Sequence, residues 1–485
     1  MTDRTSMNNK QINMIDSMLP RKVSLVVPVL LALAISGCSL QPPYERPAMP
    51  VSSQWDLAGS NGVNGADMNW QQFFSDPALR QLIQMALDNN RDLKVAALNV
   101  EKARAKYGVQ RAALYPTVNA TADQTSAHLP GNLYQTQSSG PVTYHQYEAS
   151  LAVTSWELDF FGRVRSLRDE ALESYLSTEA TSQATRISLI AEVASDYLTL
   201  CADNDLLRLA SSTANSQQES YKLTRRSYEL GASTEQDLAQ AETSVKSAEA
   251  DVARYTRRVQ QDANALRLLL GTELPARLAD NASLNKNWRF PALPTGLPSD
   301  LITRRPDIIA AEHTLKAANA NIGAARAAFF PSISLTAYGG SASSSLSHLL
   351  EGGTASWSFV PTISVPIFDA GKNQANLDIA RVEKRIEIAN YEKVIQSAFR
   401  EVSDALAGQT TYRDELAARE QDAAANQRYF DMAQLRYQQG VDNYLNLLVA
   451  QRSLYQAQQT QISTQLSSLA QQVSLYKVLG GGWKS

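Results

Sequence analysis

RVRSLRDEALESYLSTEATSQATRISLIAEVASDYLTLCADNDLLRLASSTANSQQESYKLTRRSYEL, from Arg163 to Leu230, is 68 residues without a glycine or a proline. Proline inside a helix costs about 3 kcal/mol and glycine about 1 kcal/mol relative to alanine, so the run reads as one continuous helix. At about 1.5 Å per residue it reaches roughly 100 Å, more than a compact domain needs. Gly231 turns the chain, and Ala232–Leu270 is again free of both residues. Lys372–Gln439 and Val441–Leu479 repeat the arrangement around Gly440, interrupted only by Gly408. All 18 prolines fall outside 142–274 and 367–485. Helices of this length build a coiled coil or a helical tube.

The chain is a tandem repeat. Gly108-Val-Gln-Arg111-Ala-Ala-Leu-Tyr115-Pro116 recurs as Gly323-Ala-Ala-Arg326-Ala-Ala-Phe-Phe330-Pro331, an offset of 215 that Asp92 and Asp307 share. Gly162 with Gly371, Tyr228–Gly231 with Tyr437–Gly440, and Leu270-Gly271 with Leu479-Gly480 share an offset of 209. The six-residue difference marks a loop that changed length. The spacing predicts repeat 1 over 78–290, with a helix, a β-hairpin at 117–157 and long helices at 163–230 and 232–270. A Pro-rich linker, 291–300, leads to repeat 2 over 301–485, with a helix, a hairpin at 332–367 and long helices at 372–439 and 441–479. The first helix of each half is expected to run about 25–35 residues and to end at Tyr115 or Phe330, stopped by the proline that follows.

Apolar periodicity says what these elements pack against. Ile462, Leu466, Leu469, Val473 and Tyr476 step by four, three, four and three, a coiled-coil seam. Ile388, Tyr391, Ile395, Phe399, Val402 and Leu406 form a second stripe. The hairpin runs alternate with period two instead. Trp357, Phe359, Pro361, Ile363, Val365 and Ile367 share one face; Ser356, Ser358, Thr362 and Ser364 share the other, with Val360 the exception. Tyr147, Ala149, Leu151 and Val153 oppose Glu148, Ser150 and Thr154, while Thr117–Ala127 and Ser332–Tyr338 supply partner strands. Such runs fit a membrane barrel, and a soluble sandwich alternates equally well. Four strands cannot close alone, and open edges are not tolerated in lipid, so a barrel needs several chains. Two chains give eight strands and a packed bore; three give twelve and room for a channel.

The N-terminus decides between membrane and soluble sheet. Arg21 and Lys22 precede an apolar run, Val23–Ile35, followed by Ser36, Gly37 and Cys38. This is a secretory signal over 1–37, too short to span as a helix, which takes about 20 apolar residues. Met14 or Met18 offers an alternative start. Ile35-Ser36-Gly37-Cys38 fits a lipobox, so Cys38 is expected to carry a covalent lipid whose several acyl chains anchor the protein to a membrane. Residues 38–77, with Pro42, Pro43, Pro47 and Pro50, read as an extended tether. Cys201 has no partner once Cys38 is lipidated and reads as a small packed residue.

Composition removes other classes. A net charge of −3, from 45 Lys+Arg against 48 Asp+Glu, supplies no basic surface for nucleic acid. Two cysteines and four scattered histidines make neither a disulfide scaffold nor a His-rich metal site. There is no G-x-S-x-G elbow, phosphate-binding loop or H-E-x-x-H helix, so an enzyme is not expected. After Cys38 the chain has only Met49, Met68, Met85 and Met432, too few for a soft-metal relay, which favours small organic cargo. Competing readings are a duct for metal-ion efflux or type I secretion, and a non-conducting structural envelope lipoprotein.

Ser39-Leu40-x-Pro42-x-Tyr44 after the lipobox, Arg305-Pro306-Asp307-Ile308 with Ala311-Glu312, Trp156-Glu157-Leu158-Asp159 with Gly162-Arg163, and the terminal Leu479-Gly480-Gly481-Gly482-Trp483 together resemble the TolC family of outer-membrane channels, in its OprM-like lipoprotein branch. The resemblance covers Cys38–Ser485. It implies an α+β membrane protein: a homotrimer with a twelve-stranded β-barrel, four strands per chain, continuing into a long α-helical coiled-coil periplasmic tunnel. It implies an exit duct in the outer membrane, served by a periplasmic adaptor and a proton-driven inner-membrane pump of the RND type. By the same resemblance, the turns at Gly231 and Gly440 contact the adaptor. Asp237 and Tyr437 match positions tying neighbouring helices in a closed state, Leu445 matches a constricting apolar residue, and Asn446 holds the position corresponding to Asp237. One departure stands out: Leu447-Leu448-Val449-Ala450-Gln451 replaces the family's Leu-Leu-Asp-Ala-Gln, so the acidic ring expected at Val449 is missing.

Overall fold

Glycines in a left-handed conformation and side-chain caps cut this chain into hairpins. The computed structural model describes residues 39–52, 68–130, 140–284, 288, 290, 291, 293 and 304–481. The signal peptide, Cys38, the terminal Trp483 and all of the linker but Pro291 and Leu293 lie outside the described residues. In order come α1 (Trp70–Phe73), α2 (Pro77–Asn89), α3 (Arg91–Ala112), β1 (Val118–Leu129), β2 (Val142–Glu157), α4 (Arg163–Glu229), α5 (Glu235–Leu270) and α6 (Ala276–Asp280). The second half supplies α7 (Pro306–Ala327), β3 (Ser332–Ser343), β4 (Ala355–Ser364), α8 (Lys372–Gln438) and α9 (Tyr444–Val478). The helices α4 and α8 have 67 residues each.

Several helix ends depart from expectation: α5 and α9 begin at Glu235 and Tyr444, not at 232 and 441, because Thr234 and Asn443 serve as their caps. The first helix of repeat 1 is broken at Asn90, whose backbone is extended (ψ 133°) and whose carboxamide oxygen accepts the Leu93 N–H at 2.8 Å, capping α3. Helices α3 and α7 stop at Ala112 and Ala327, short of Tyr115 and Phe330. The intervening residues close in tighter i to i+3 turns, Tyr115 N–H to the Ala112 carbonyl and Phe330 N–H to that of Ala327, both at 3.0 Å. Residues before a proline are driven from the helical region, which ends the helix early.

The chain divides into two compact units. The first comprises Ala105–Glu173, Lys316–Arg385 and the described residues up to Glu45. It holds one antiparallel sheet in the order β1-β2-β3-β4. Register puts Val118, Ala120, Leu151, Val153, Ala337, Leu335, Trp357, Phe359 and Ile363 on one face, and Asn119, Thr121, Ser150, Glu148, Thr336, Ser358 and Thr362 on the other. A bulge between Val153 and Trp156 sets two residues of β2 against Thr336 alone. Ser155 takes φ +54° there and donates its N–H to the Thr336 hydroxyl at 3.3 Å. The extra residue returns Trp156 to the apolar face; strict alternation would have turned it to the polar one. Beneath the sheet, Ile322 of α7 packs with Leu377 and Ala380 of α8.

The second unit comprises the described parts of Arg46–Arg104, Ser174–Leu315 and Ile386–Ser485. Phe73 stacks on Tyr476 and Phe290, with ring centroids 4.2 and 5.1 Å apart. Leu469, Val473 and Tyr476 of the predicted seam are buried, Ile462 and Leu466 partly so. The repeat is visible as one clasp made twice. Asn90 Nδ2 donates to the Leu269 carbonyl at 2.9 Å, and Arg305 Nη1 donates to the Val478 carbonyl at 3.0 Å. Donors are 215 residues apart and acceptors 209, the two offsets read from sequence. Just beyond, a Cβ on Gly271 would meet the Asn89 carbonyl oxygen at 2.4 Å, and one on Gly480 that of Arg304 at 2.8 Å. Glycine is required at both because backbone passes directly over it.

Candidate functional site

Two turns carry the residues proposed for a constriction, and they are built alike. At the end of α4, Ala232 N–H donates to the Ser227 carbonyl and Gly231 N–H to that of Tyr228. At the end of α8, Val441 and Gly440 do the same to Arg436 and Tyr437. Both glycines sit at φ +72° with open space where a Cβ would lie, so conformation, not crowding, demands glycine. Three residues on, Thr234 and Asn443 cap the next helices by accepting the N–H groups of Asp237 (3.1 Å) and Asn446 (3.2 Å).

Asp237 completes a capping box. Its carboxylate accepts the Thr234 N–H at 3.1 Å and hydroxyls of Thr234 (2.7 Å) and Ser233 (3.2 Å). The Thr234 hydroxyl, then its N–H, hold the Asp237 carboxyl below the usual carboxylate range. Within the chain, these bonds are to its own turn and not to another helix. The matching turn in repeat 2 is pinned differently. Arg436 grips Asp442 at 2.7 and 3.2 Å across Gly440, holding the Asp442 carboxyl below its usual range, with Asn446 adding a hydrogen bond. The sequence reading passed over this pair; its signal was opposite charges six residues apart astride the turn.

Tyr437 lies against Tyr444, ring centroids 5.9 Å apart, in a cluster with Ala241, Leu447, Leu448, Tyr221 and Phe430. Helix α9 thereby has two sides. Tyr444, Leu447 and Leu448 are buried, whereas Leu445 is 49% and Val449 46% exposed. Asn446 shares that open side, and one turn further Arg452 also lies on it, donating to the Ser244 hydroxyl at 3.4 Å. The open stripe is apolar, amide and cationic, with no acid on it.

The sheet presents the second functional surface. Trp357 is 79% exposed, Phe359 61%, Ile363 66% and Leu151 60%, all on the apolar face. On the opposite face Thr121 and Ser150 hydroxyls meet at 3.1 Å. Tyr115, Phe160, Phe330 and Phe368 are exposed beside the end of the sheet where all four strands join helices. Aromatic residues at a strand end and a contiguous apolar face are what a bilayer covers. No helix among the described residues is long and apolar enough to cross a membrane.

Comparison with known proteins gives the family. Residues 82–272 and 297–481 match the family model described as outer membrane efflux protein, one match per repeat. The toluene efflux pump outer membrane protein TtgC and the antibiotic efflux pump outer membrane protein ArpC, both from Pseudomonas putida, are each 49% identical, covering 95% of this chain and 96% of the relative. The solved open-state MtrE outer membrane channel of Neisseria gonorrhoeae superposes with a TM-score of 0.84 at 38% identity, covering 92% of this chain and 99% of that one.

Proposed function

The chain belongs to the outer membrane efflux protein family and is the outer-membrane channel of a tripartite efflux system; from that premise we propose that three copies close the duct and that it passes small, largely apolar organic compounds. The family is a transport duct, and the chain's work is passive: an adaptor and an inner-membrane pump, here an RND-type proton-driven exporter, supply cargo and energy. The names of the relatives, toluene and antibiotic efflux, and the apolar stripe of Leu445 and Val449 support this cargo class. The turns at Gly231 and Gly440 are proposed to meet the adaptor. Loss of solvent and antibiotic tolerance on deleting the gene, restored by the intact gene, tests the reading; unchanged tolerance together with zero conductance in planar bilayers favours a structural brace.

One observation carries the assembly. Helix α7 buries Ile308, Ala310, Leu315, Ala317, Ala320, Ile322, Ala324 and Ala327, whereas its repeat mate α3 buries nothing, leaving Val95, Leu98 and Val109 half or more exposed. A helix packed in one repeat and bare in the other needs a second copy of the chain to supply the missing neighbours. The sheet needs the same, since β1 and β4 are open edges and lipid admits none. Gly108 tests this cleanly. A Cβ there meets nothing within 4 Å, while one at its mate Gly323 would meet Ser166 Oγ at 2.5 Å and Gln41 Cα at 2.9 Å. Gly108→Leu is expected to leave the single chain folded by circular dichroism yet to remove most trimer by native mass spectrometry. Full trimer yield would place α3 away from the interface.

Cys38 is proposed to carry the lipid, which aids targeting and insertion rather than channel formation. Cys38→Ala is expected to lose the acyl mass while the purified protein still conducts. An unmodified Cys38 in the natural protein, or a nonconducting variant, would overturn one half each.

A further inference from the structure

Position 262 differs in kind from its repeat mate. Gln471, 209 residues on, is a neutral amide whose Nε2 donates to the Ala405 carbonyl at 2.8 Å, tying α9 to α8. Asp262 of α5 meets α4 in the corresponding place, beside Asp203 and Asp196; Asp196 is the mate of Ala405. Asp203 is buried, its side chain 10% exposed, and pairs with Arg258 Nη1 only loosely, at 3.7 Å. Asp262 lies one turn along α5 from Arg258, the residue that reaches Asp203, and the two carboxyls are close enough to act on each other; its Oδ2 is buried and takes no hydrogen bond from any donor group among the described residues. Two ionised carboxylates cannot bond each other, because both only accept; with one proton between them they can.

We infer that Asp203 and Asp262 share one proton, and that this proton clasps α5 to α4 where the other repeat uses a permanent amide. When the proton leaves, two carboxylates are left with the Arg258 guanidinium, 3.7 Å from Asp203, as their cation, and the hairpin loosens. The remaining charges nearby do not substitute for it. Asp196 and Glu192 on α4 add negative charge. Asp205 is already engaged by Arg208, the Ser283 hydroxyl and the Leu284 N–H. Helix α9 carries no acid, lysine, arginine or histidine between Arg452 and Lys477. Among the described residues no three His, Cys, Asp or Glu side chains converge to hold a metal ion in the proton's place.

Burial first, then Asp203 and Asp196, push the Asp262 carboxyl up to about 7, against about 3.9 for an unfolded aspartate. A raised folded value makes the clasp complete below the unfolded value and lost as pH climbs through the folded one, so it fades between about pH 4 and about pH 7. The device belongs to the fold and holds whatever the duct carries.

Hydrogen exchange of the full-length protein in detergent, corrected for intrinsic rates, reads this directly. Asp262→Asn supplies a neutral donor at every pH. In peptides covering 258–266, natural protein and variant are expected to be equally protected at pH 4, before the clasp begins to fade. By pH 8.5 the natural protein should be at least about tenfold less protected, the equivalent of one pH unit of differential proton binding. Gln471→Glu is expected to give α9 the same pH dependence, and Asp203→Asn serves in place of Asp262→Asn if that variant does not fold. Parallel pH profiles for the natural protein and the asparagine variants would overturn the clasp.

Discussion

Leu151→Arg or Phe359→Arg is expected to empty the outer-membrane fraction of assembled protein, whereas Thr121→Arg is expected to leave assembly nearly intact. Leu151 and Phe359 are about three-fifths exposed on the apolar face of the sheet, at 60% and 61%. A basic residue on the lipid face of a barrel costs about 2–4 kcal/mol near the bilayer midplane. In the proposed trimer three copies would multiply that to roughly 6–12 kcal/mol, the size of a typical protein's whole stability. Thr121 sits one residue away in sequence from the apolar row, yet its side chain points to the polar face, where it meets Ser150. A charge there stays in water. The check is the amount of heat-dissociable trimer in outer-membrane preparations. Equal loss from both faces would mean that the sheet is not a lipid-facing wall.

Leu445→Ala and Val449→Ser are expected to raise single-channel conductance and uptake of large antibiotics. Both residues occupy the open side of α9, with Tyr444, Leu447 and Leu448 locked in the core behind them. An apolar constriction can shut a pore by excluding water, and truncating or hydroxylating it lets water in. Val449→Asp should act differently. In the proposed trimer three such carboxylates would meet and repel, so closure should weaken at neutral pH and recover below the acid's pKa, where the ring is neutral. Asp237→Ala should matter less for conductance, since its carboxylate is spent on Thr234 and Ser233; its cost is a helix cap, about 0.5–2 kcal/mol. If Leu445→Ala and Val449→Asp both leave conductance unchanged from pH 4 to pH 8, the constriction lies elsewhere.

The large plan of this protein is written in spacing. A 68-residue run free of glycine and proline leaves a helix as its cheapest conformation, and constant offsets expose the duplication. Period-two alternation placed Leu151 and Trp357 each on the apolar face of its own strand, and the strand register then joins the two faces. The finer points depend on contacts that spacing does not encode. Asn90 breaks a helix because its side chain caps Leu93 and reaches the carbonyl of Leu269, 179 residues away. The bulge at Ser155 is the price of keeping Trp156 on the apolar face, visible only once β3 is in register. Asp237 has the same residue type whether it bridges helices or caps its own turn; three local donors decide the matter within the chain. The Asp203–Asp262 pair spans 59 residues of two helices and shows itself only once α5 is packed against α4.

Disulfide cross-linking of the two open sheet edges tests the trimeric channel most directly. Cysteines at Ala120 or Ala122 on β1, combined in turn with cysteines at Phe359, Pro361 or Ile363 on β4, sample the registers in which neighbouring copies can pair through the same face. The natural Cys201 is buried and stays out of the reaction. Oxidation in intact outer membranes is predicted to give a ladder of one, two and three linked chains that ends at three, the last species a closed ring. A ladder ending at two, one running past three, or no linkage between chains in any register would contradict a barrel closed by three copies.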